Sequence, residues 1–561
     1  VFSYFYLIMI KCTHQSVLTL CFFSTLFINF TAFSQKTPDE INRLKLDSLL
    51  FPEERIHQPG YCIVILKDQQ IIYNKSIGYA NVAKKIPFTD STKVALASVS
   101  KQFTAMAILM LEEDGKLKLD DDISNYLPEL PVRKEKITIQ HLLSHTSGLR
   151  EHVSMMEWEN DQKNKYYTFE GTLEKLKQYN DISFLPGEQF AYSNTGYELL
   201  AIIIQRVSGI PFEQFMQERI FRPLKMNDTE FSFRKKMKEF GSTASYDYNE
   251  KKKKYRVNWW RECNATGATG IYTTVKDFTH WDYNFWNPII CSQQLLDKMN
   301  VSDTLNNGGS ISYGNGQKYR SFKGYSVVEH AGGWAYFNCQ YTRVPELGLS
   351  IIIVANNEFD RPYQLAERLL HTLVPKDRIA KNLSVLVQKN DSIIEGFYAT
   401  NSMCIRKIGW SDSLSYYLLN GPGFYAPHKG ELFVSPEINC YQDKEQFPIC
   451  FSSKEQFEWS GGSYFNVPRT FHYLQSDSNV NMNSFNGSYE CSELGMLKLT
   501  WKENKKMFKV KSGFGSNAQF KEIAPSIYES TKVSYRIKII DSSTIQIGDE
   551  RVFNLVFKRK V

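Results

Sequence analysis

Between Tyr61 and Val374 the apolar residues fall into short blocks whose spacing switches between strand and helix periods. The stretch "YCIVILKDQQIIYNKSIGYA" predicts two strands around a turn at Lys67–Asp68. Residues 105–111 are apolar without interruption, which predicts a helix buried on all sides. In "TIQHLLSHTSGL", Thr138 reads as an N-cap and Gly148 as a stop. "NTGYELLAIIIQRVSG" predicts a further helix, closed by Gly209. "QYTRVPELGLSIIIVANN" reads as two strands joined at Pro345–Gly348, and "RPYQLAERLLHTLV" as a closing helix. Strands at both ends with helices between them predict an antiparallel sheet packed against helices.

Beyond Pro375 the pattern changes to period two. Residues 390–561 are rich in Tyr, Phe, Gly and Ser, with alternating runs such as "MLKLTW" and "SYRIKIID", an all-β reading. A weak repeat, "IIEGFY" at Ile393–Tyr398 and "SFNGSY" at Ser484–Tyr489, predicts two similar β units or two halves of one barrel.

The length, 561 residues, calls for at least two domains. The net charge of +7 is a small imbalance on 67 basic and 60 acidic residues. The run Lys251–Lys254 lies in polar sequence without an aromatic platform, so it reads as a solvated face and no nucleic-acid partner is expected. Lys11 is followed by "SVLTLCFFSTLFINFTAFSQ", the layout of a secretory signal peptide. With Met9 as a start, Val1–Ile8 is an extension outside it. An uncleaved membrane anchor is the rival reading, and a membrane is a partner only in that case. The expected organisation is a leader at 1–35, a catalytic domain at 36–375, a linker at 376–389 and an all-β accessory domain at 390–561. The expected location is periplasmic or extracellular, in a bacterium. Two of the ten cysteines, Cys12 and Cys21, lie in the leader, and the others form no CxxC pair or metal-ligand spacing.

Chemistry concentrates at the start of the buried helix. With the helix beginning at Ser98, Ser98 and Lys101 lie on one face, a turn apart, and Lys101 shares that face with Ala105 and Ile108. Burial disfavours an ammonium and makes Lys101 a candidate proton acceptor. A serine hydroxyl becomes a competent nucleophile when a neighbouring base takes its proton. The helix N-terminus adds N–H groups suited to an oxyanion. The spacing alone is cheap, since a serine N-cap followed by an exposed lysine fits it too. Ser232–Lys235 also matches, but there the lysine opens the cationic patch "RKKMK".

Four segments in order carry a resemblance: "SVSK" at Ser98–Lys101, "HLLSHTSGL" at His141–Leu149, "PGEQFAYSNTGYELL" at Pro186–Leu200 and "HAGG" at His330–Gly333. Together they resemble the serine β-lactamase and penicillin-binding-protein superfamily, nearest its class C-like branch of esterases, D-aminopeptidases and D,D-carboxypeptidases. The resemblance covers about 300 residues, from Gln58 to Val374. It implies an antiparallel sheet flanked by helices with an all-helical subdomain (α+β/α/β), followed by a barrel or lipocalin-like all-β domain. It also implies that Ser98 is acylated and that Lys101 is its proton partner. Tyr192 would be a second base, working as or through a phenolate held by Lys101, since a free phenol ionises near pH ~10. Asn194 would bond the substrate amide or Lys101, and the N–H groups of Ser98 and Gly333 would form the oxyanion hole.

One element departs from the lactamase pattern. His330-Ala331-Gly332 stands where penicillin-recognising enzymes usually carry Lys-Thr-Gly or Lys-Ser-Gly. Histidine is mostly neutral near pH 7, which weakens attraction for a β-lactam carboxylate. Gly332 and Gly333 let the strand approach a ligand. The literal Lys511-Ser512-Gly513 lies in the β-rich tail and is set aside. His141 and His145 are spaced like zinc ligands, but no HExxH glutamate accompanies them, so no metal is expected. "TGATGIYTTVKDFTHW" reads as scaffold whose glycines could line the cleft, and Asn356 and Asn357 as strand-end residues that could touch a substrate carboxylate.

The resemblance thus implies a secreted serine hydrolase that cleaves an amide or ester through an acyl-serine, without cofactor. The expected partner is a small ester or a D-amino-acid peptide, including peptidoglycan-derived ones. The alternatives are a β-lactamase or D,D-carboxypeptidase acting on penicillins or peptidoglycan, and a non-catalytic binding protein on the same fold.

Overall fold

The computed structural model describes residues 46–47, 57–158, 168–231, 243–249, 252–258, 267–357 and 361–375, the strand backbones between 396 and 559, and side chains in parts of 482–560. Residues 1–50 and 51–561 separate as two units. In the first, Leu46 and Asp47 are helical, and the leader lies outside the described residues.

A seven-stranded antiparallel sheet organises the first part of the larger unit. Its strands are β1 (Tyr61–Lys67), β2 (Gln70–Ile77), β3 (Tyr313–Gly314), β4 (Gln317–Phe322), β5 (Tyr325–Trp334), β6 (Phe337–Val344) and β7 (Leu349–Ala355), in the order β3-β4-β5-β6-β7-β1-β2. The strands β1 and β7 carry nearly unbroken apolar runs and are buried on both faces, so they sit inside the sheet, paired from Tyr61↔Ala355 to Lys67↔Leu349. The edge strand β2 leaves Ile71 and Ile72 exposed. The β1–β2 turn falls on Asp68 and Gln69, both at positive φ, the geometry that matches strand twist in a two-residue hairpin.

The buried helix α1 spans Lys101–Glu113, with every residue from Lys101 to Leu111 buried. Its apolar run explains the burial, and partners explain how its polar residues survive there. Phe103 stacks on Trp281 at 3.9 Å, whose indole N–H donates to Gln102 Oε1 (3.2 Å). Thr104 donates to the Gly267 carbonyl (2.7 Å).

Helix α2 (Ile139–Leu143) starts at Thr138 with a capping box completed by the His141 ring. It is shorter than the sequence predicts. Ser144 Oγ bonds back to the Gln140 carbonyl and His145 turns to φ +61, so the helix stops before Gly148, which serves the following loop. Helix α3 spans His152–Trp158. Helix α4 (Asn194–Ser208) is capped by the Ser193 side chain and closed by Gly209 at φ +75, as its sequence predicts. Helix α5 (Val275–Asn284) starts at the Thr274 cap, and α6 (Pro362–Leu373) begins on a proline.

The C-terminal region forms two closed antiparallel barrels of eight strands each, over 396–473 and 487–559. The repeat in the sequence marks their first strands. Gly396–Ala399 opens one barrel and closes on its last strand through Tyr398↔Tyr473, while Gly487–Cys491 opens the other and closes through Tyr489↔Arg559. The repeat therefore reports two units and not two halves of one barrel. Inside the second, Tyr489, Leu499, Phe508, Ile537, Ile545 and Leu555 are buried. Lys511 and Ser512 lie on a strand of this barrel, Met507–Ser512. The Ser232–Lys235 decoy lies outside the described residues. Lys252–Lys254 are exposed at the hairpin between Ser245–Asn249 and Lys254–Asn258. No helix among the described residues is long and apolar enough to cross a membrane.

Candidate active site

Ser98 lies on a 3-10 turn, Ala97–Ser100, directly before α1, and not on the first turn of the α-helix itself. No side-chain cap is made there, which removes the N-cap explanation of this serine. Ala97, Val99 and Ser100 are buried, whereas Ser98 is half-buried. Ala97 holds φ +46, a costly conformation for a residue with a Cβ, immediately before the hydroxyl.

Lys101 is completely buried. Its Nζ donates to Ser98 Oγ (3.3 Å), Asn194 Oδ1 (2.8 Å) and the Ala268 carbonyl (3.0 Å). The three ammonium hydrogens thus have three acceptors, which replace the water that burial removes. The faces of Tyr192 and Tyr197 lie 4.8 and 5.6 Å from the same nitrogen. Tyr192 is buried in a cluster with Phe190, Ile311 and Tyr313.

His330 comes from β5. Its Nδ1 is 2.6 Å from the Ala331 carbonyl, which can only accept, so Nδ1 carries the proton. Its Nε2 then accepts from Tyr313 Oη (3.0 Å). Burial, and then the charge of Lys101, lowers the imidazole pKa to about 3. Both ring nitrogens are engaged and the ring is neutral. Gly332 is buried opposite Cys339, and Gly333 is exposed opposite Asn338. A Cβ on Gly332 would stand 2.2 Å from the Leu96 carbonyl and 2.5 Å from Cys339 Sγ. This close approach seats β5 against the base of the Ser98 turn, where the Cys339 thiol donates to Leu96 O (2.8 Å).

The structure therefore brings Ser98, Lys101, Tyr192, Asn194, His330 and Gly332 into one neighbourhood. It does not bring Asn356 there. That side chain is buried and spans Gly60 N–H and the carbonyls of Tyr79, Ala80 and Ala244, a structural pin. The Asn357 carbonyl accepts from Asn338 Nδ2. His141 and His145 serve separate partners. His141 caps α2, while His145 Nδ1 accepts from Ser193 N–H (3.1 Å) and its ring lies 4.4 Å from that of Tyr192.

Three groups have no sequence signal of their own. They are the Ala268 carbonyl under Lys101, Tyr313 on His330, and Glu151. The Glu151 carboxylate is fully buried and accepts from Ser193 Oγ, Asn194 Nδ2 and Thr195 N–H at 2.9, 2.9 and 3.1 Å. Only the place of Glu151 just after "HLLSHTSGL", the second of the four segments, hints at it.

A model of the family described as "Beta-lactamase" matches residues 50–374, more than half of the chain. The chain belongs to the beta-lactamase family. Its relatives include "Penicillin-binding protein 4*" of Bacillus subtilis (strain 168), 30% identical over 326 residues that cover 55% of this chain and 71% of that protein. "Protein flp" of Staphylococcus aureus (strain N315) is 28% identical over 344 residues, covering 60% and 67%. The fold is shared with the octameric penicillin-binding protein homologue from Pyrococcus abyssi, at a TM-score of 0.52 and 23% identity over 77% of this chain and 99% of that one. Membership makes this beta-lactamase-family chain a member of the serine hydrolase and penicillin-binding-protein superfamily, with the sheet-and-helix fold that the sequence implied.

The histidine geometry has a consequence for stability. Between pH 6.5 and about 3 the unfolded chain protonates His330 while the folded chain does not. Stability should therefore fall as pH drops through that window, by up to about 1.4 kcal/mol per pH unit from this residue. His152, also lowered by burial, adds to the slope. Urea melts at pH 7, 6 and 5 should show a shallower acid loss in His330→Gln. Equal slopes in the two proteins would remove the assignment.

Proposed function

We propose that this chain is an exported serine hydrolase that cleaves an amide or ester, such as a D-amino-acid peptide or small ester, through an acyl-Ser98 intermediate. The observation that carries the reading is the half-buried Ser98 hydroxyl 3.3 Å from a buried lysine, with Tyr192 against the same nitrogen. Ser98 Oγ attacks the substrate carbonyl carbon, and its proton passes to the Lys101–Tyr192 pair. The carbonyl oxygen takes the negative charge and is held by the N–H groups of Ser98 and Gly333. The bond to the leaving amine or alcohol breaks, and that group takes the proton. Water then attacks the acyl carbon through the same bases and releases the acid and free Ser98.

The state of His330 disfavours recognition of a substrate carboxylate. An imidazole with both nitrogens engaged offers no positive charge to a carboxylate. The names of the penicillin-binding relatives favour the second reading, a β-lactamase or D,D-carboxypeptidase. A panel of nitrophenyl esters, D-alanyl amides and a fluorescent penicillin separates them. Turnover of esters or amides with slow penicillin labelling supports the first reading. Rapid penicillin turnover moves the chain to the second, and inertness of wild type towards every member sinks both. Export rests on the leader at 1–35, and cell fractionation tests it. The barrels are assigned to the accessory region at 390–561, limiting access to the cleft or binding a partner.

A further inference from the structure

Asn194 has two ends, and the structure gives each a different partner. Its Oδ1 accepts from Lys101 and its Nδ2 donates to Glu151 Oε1. An amide rotated by half a turn would aim N–H at an ammonium and oxygen at a carboxylate, both repulsive. Glu151 also takes the donors around it: Ser193 Oγ (2.9 Å), Thr195 N–H (3.1 Å) and Thr195 Oγ1 (3.3 Å), all on its Oε2. Thr195 Oγ1 is shared with the Arg150 carbonyl (2.9 Å) and receives His152 N–H (2.8 Å). Three consecutive residues, the start of α4, thus hang on one carboxylate that arrives from over forty positions away.

We propose that Glu151 is a positioning residue of the Ser98 site, acting through Asn194 to hold the Lys101 amine against the Ser98 hydroxyl. The inference rests on the hydrolase reading above. A carboxylate suits the place because Ser193 Oγ, Asn194 Nδ2 and Thr195 N–H all donate to it and an ionised carboxylate only accepts. Glutamine keeps the shape but turns an N–H₂ towards Ser193, Thr195 or Asn194. It also removes a negative charge from the neighbourhood of Lys101. The other groups that face Lys101 are the rings of Tyr192 and Tyr197 and the neutral His330, with Glu198 fixing the Ala268 N–H (3.1 Å). None of these changes in the variant. Beside Glu151 stand Arg150, which stays, and His152, whose pKa burial lowers and the Glu151 charge raises, so the variant lowers it further, on the acid side of 6.5 and apart from an alkaline limb.

The test is ester hydrolysis by the full chain across pH 5–10, with kcat and KM read separately, and fluorophosphonate labelling of Ser98. In Glu151→Gln we expect kcat lower by about 10- to 100-fold with KM within about twofold. One limb of the pH profile should move to lower pH by ~0.5–1 unit, because an ammonium that loses a nearby carboxylate gives up its proton more easily. Glu151→Asp keeps the charge but shortens the reach, so its limbs stay in place while kcat falls. Thr195→Val loosens the same carboxylate without touching Asn194 and should leave the limbs in place. Wild-type kcat and limbs in a folded Glu151→Gln overturn the inference, as does a kcat loss with both limbs unmoved. Should Glu151→Gln not fold, wild-type kcat in Glu151→Asp overturns it instead. A wild-type chain inert to every ester and to the fluorophosphonate condemns the hydrolase reading itself, a result separate from all of these.

Discussion

Ser98→Ala is expected to abolish covalent labelling by a fluorophosphonate and to lower ester turnover by about 1,000-fold or more. The hydroxyl is half-buried and is one of three acceptors on Lys101, so its loss leaves Asn194 Oδ1 and the Ala268 carbonyl on the ammonium. The variant should therefore melt close to wild type. Lys101→Ala should lose a similar factor in turnover but behave differently in a melt. It strips the donor from the half-buried Asn194 Oδ1 and from the buried Ala268 O, and the orphaned buried acceptor costs about 1–3 kcal/mol. Comparing labelling, turnover and thermal melts for the two variants checks both statements. Retained labelling in Ser98→Ala would move the nucleophile elsewhere and end the assignment.

Gly332→Ala should be damaging where Gly333→Ala is mild. A methyl on Gly332 would meet the Leu96 carbonyl at 2.2 Å, Cys339 Sγ at 2.5 Å and Ala97 Cβ at 3.2 Å. The Leu96 carbonyl already receives Val99 N–H and the Cys339 thiol, so it cannot retreat without moving the Ser98 turn. Overpacking of this kind costs about 1–3 kcal/mol, and the displaced turn should cut turnover by about 100-fold. A methyl on Gly333 meets only Asn338 Oδ1, at 3.2 Å, and should leave the melting temperature nearly unchanged. Circular-dichroism melts and ester kinetics on the pair read this out. Equal melting temperatures for the two variants would show that β5 does not rest on the Ser98 turn.

The parts of this protein that were legible in its sequence are those written in local spacing. The period of the apolar residues placed β1 and β2, the pair β6 and β7, and α4 with its Gly209 stop. Three residues and one helical turn sufficed to put Lys101 near Ser98, and the apolar run behind them sufficed to bury it. The repeated Gly-x-Tyr at Gly396 and Gly487 marked where each barrel begins. What the folded chain alone decided are contacts between distant segments. The third acceptor of Lys101 lies 167 positions away at Ala268. The partner of His330 Nε2 is a tyrosine of another strand, and burial together with the charge of Lys101 keeps the imidazole neutral. Glu151 reaches Asn194 across 43 positions, and Asn356, read as a ligand candidate, is consumed by backbone groups of three other segments. The physical reason is the range of the forces recorded in each pattern. Hydrophobic periodicity and caps arise within a turn or two of chain and leave a trace in neighbouring letters. A buried hydrogen bond is specified by direction and desolvation at a point where two remote segments meet, and neither segment alone carries a mark of the other.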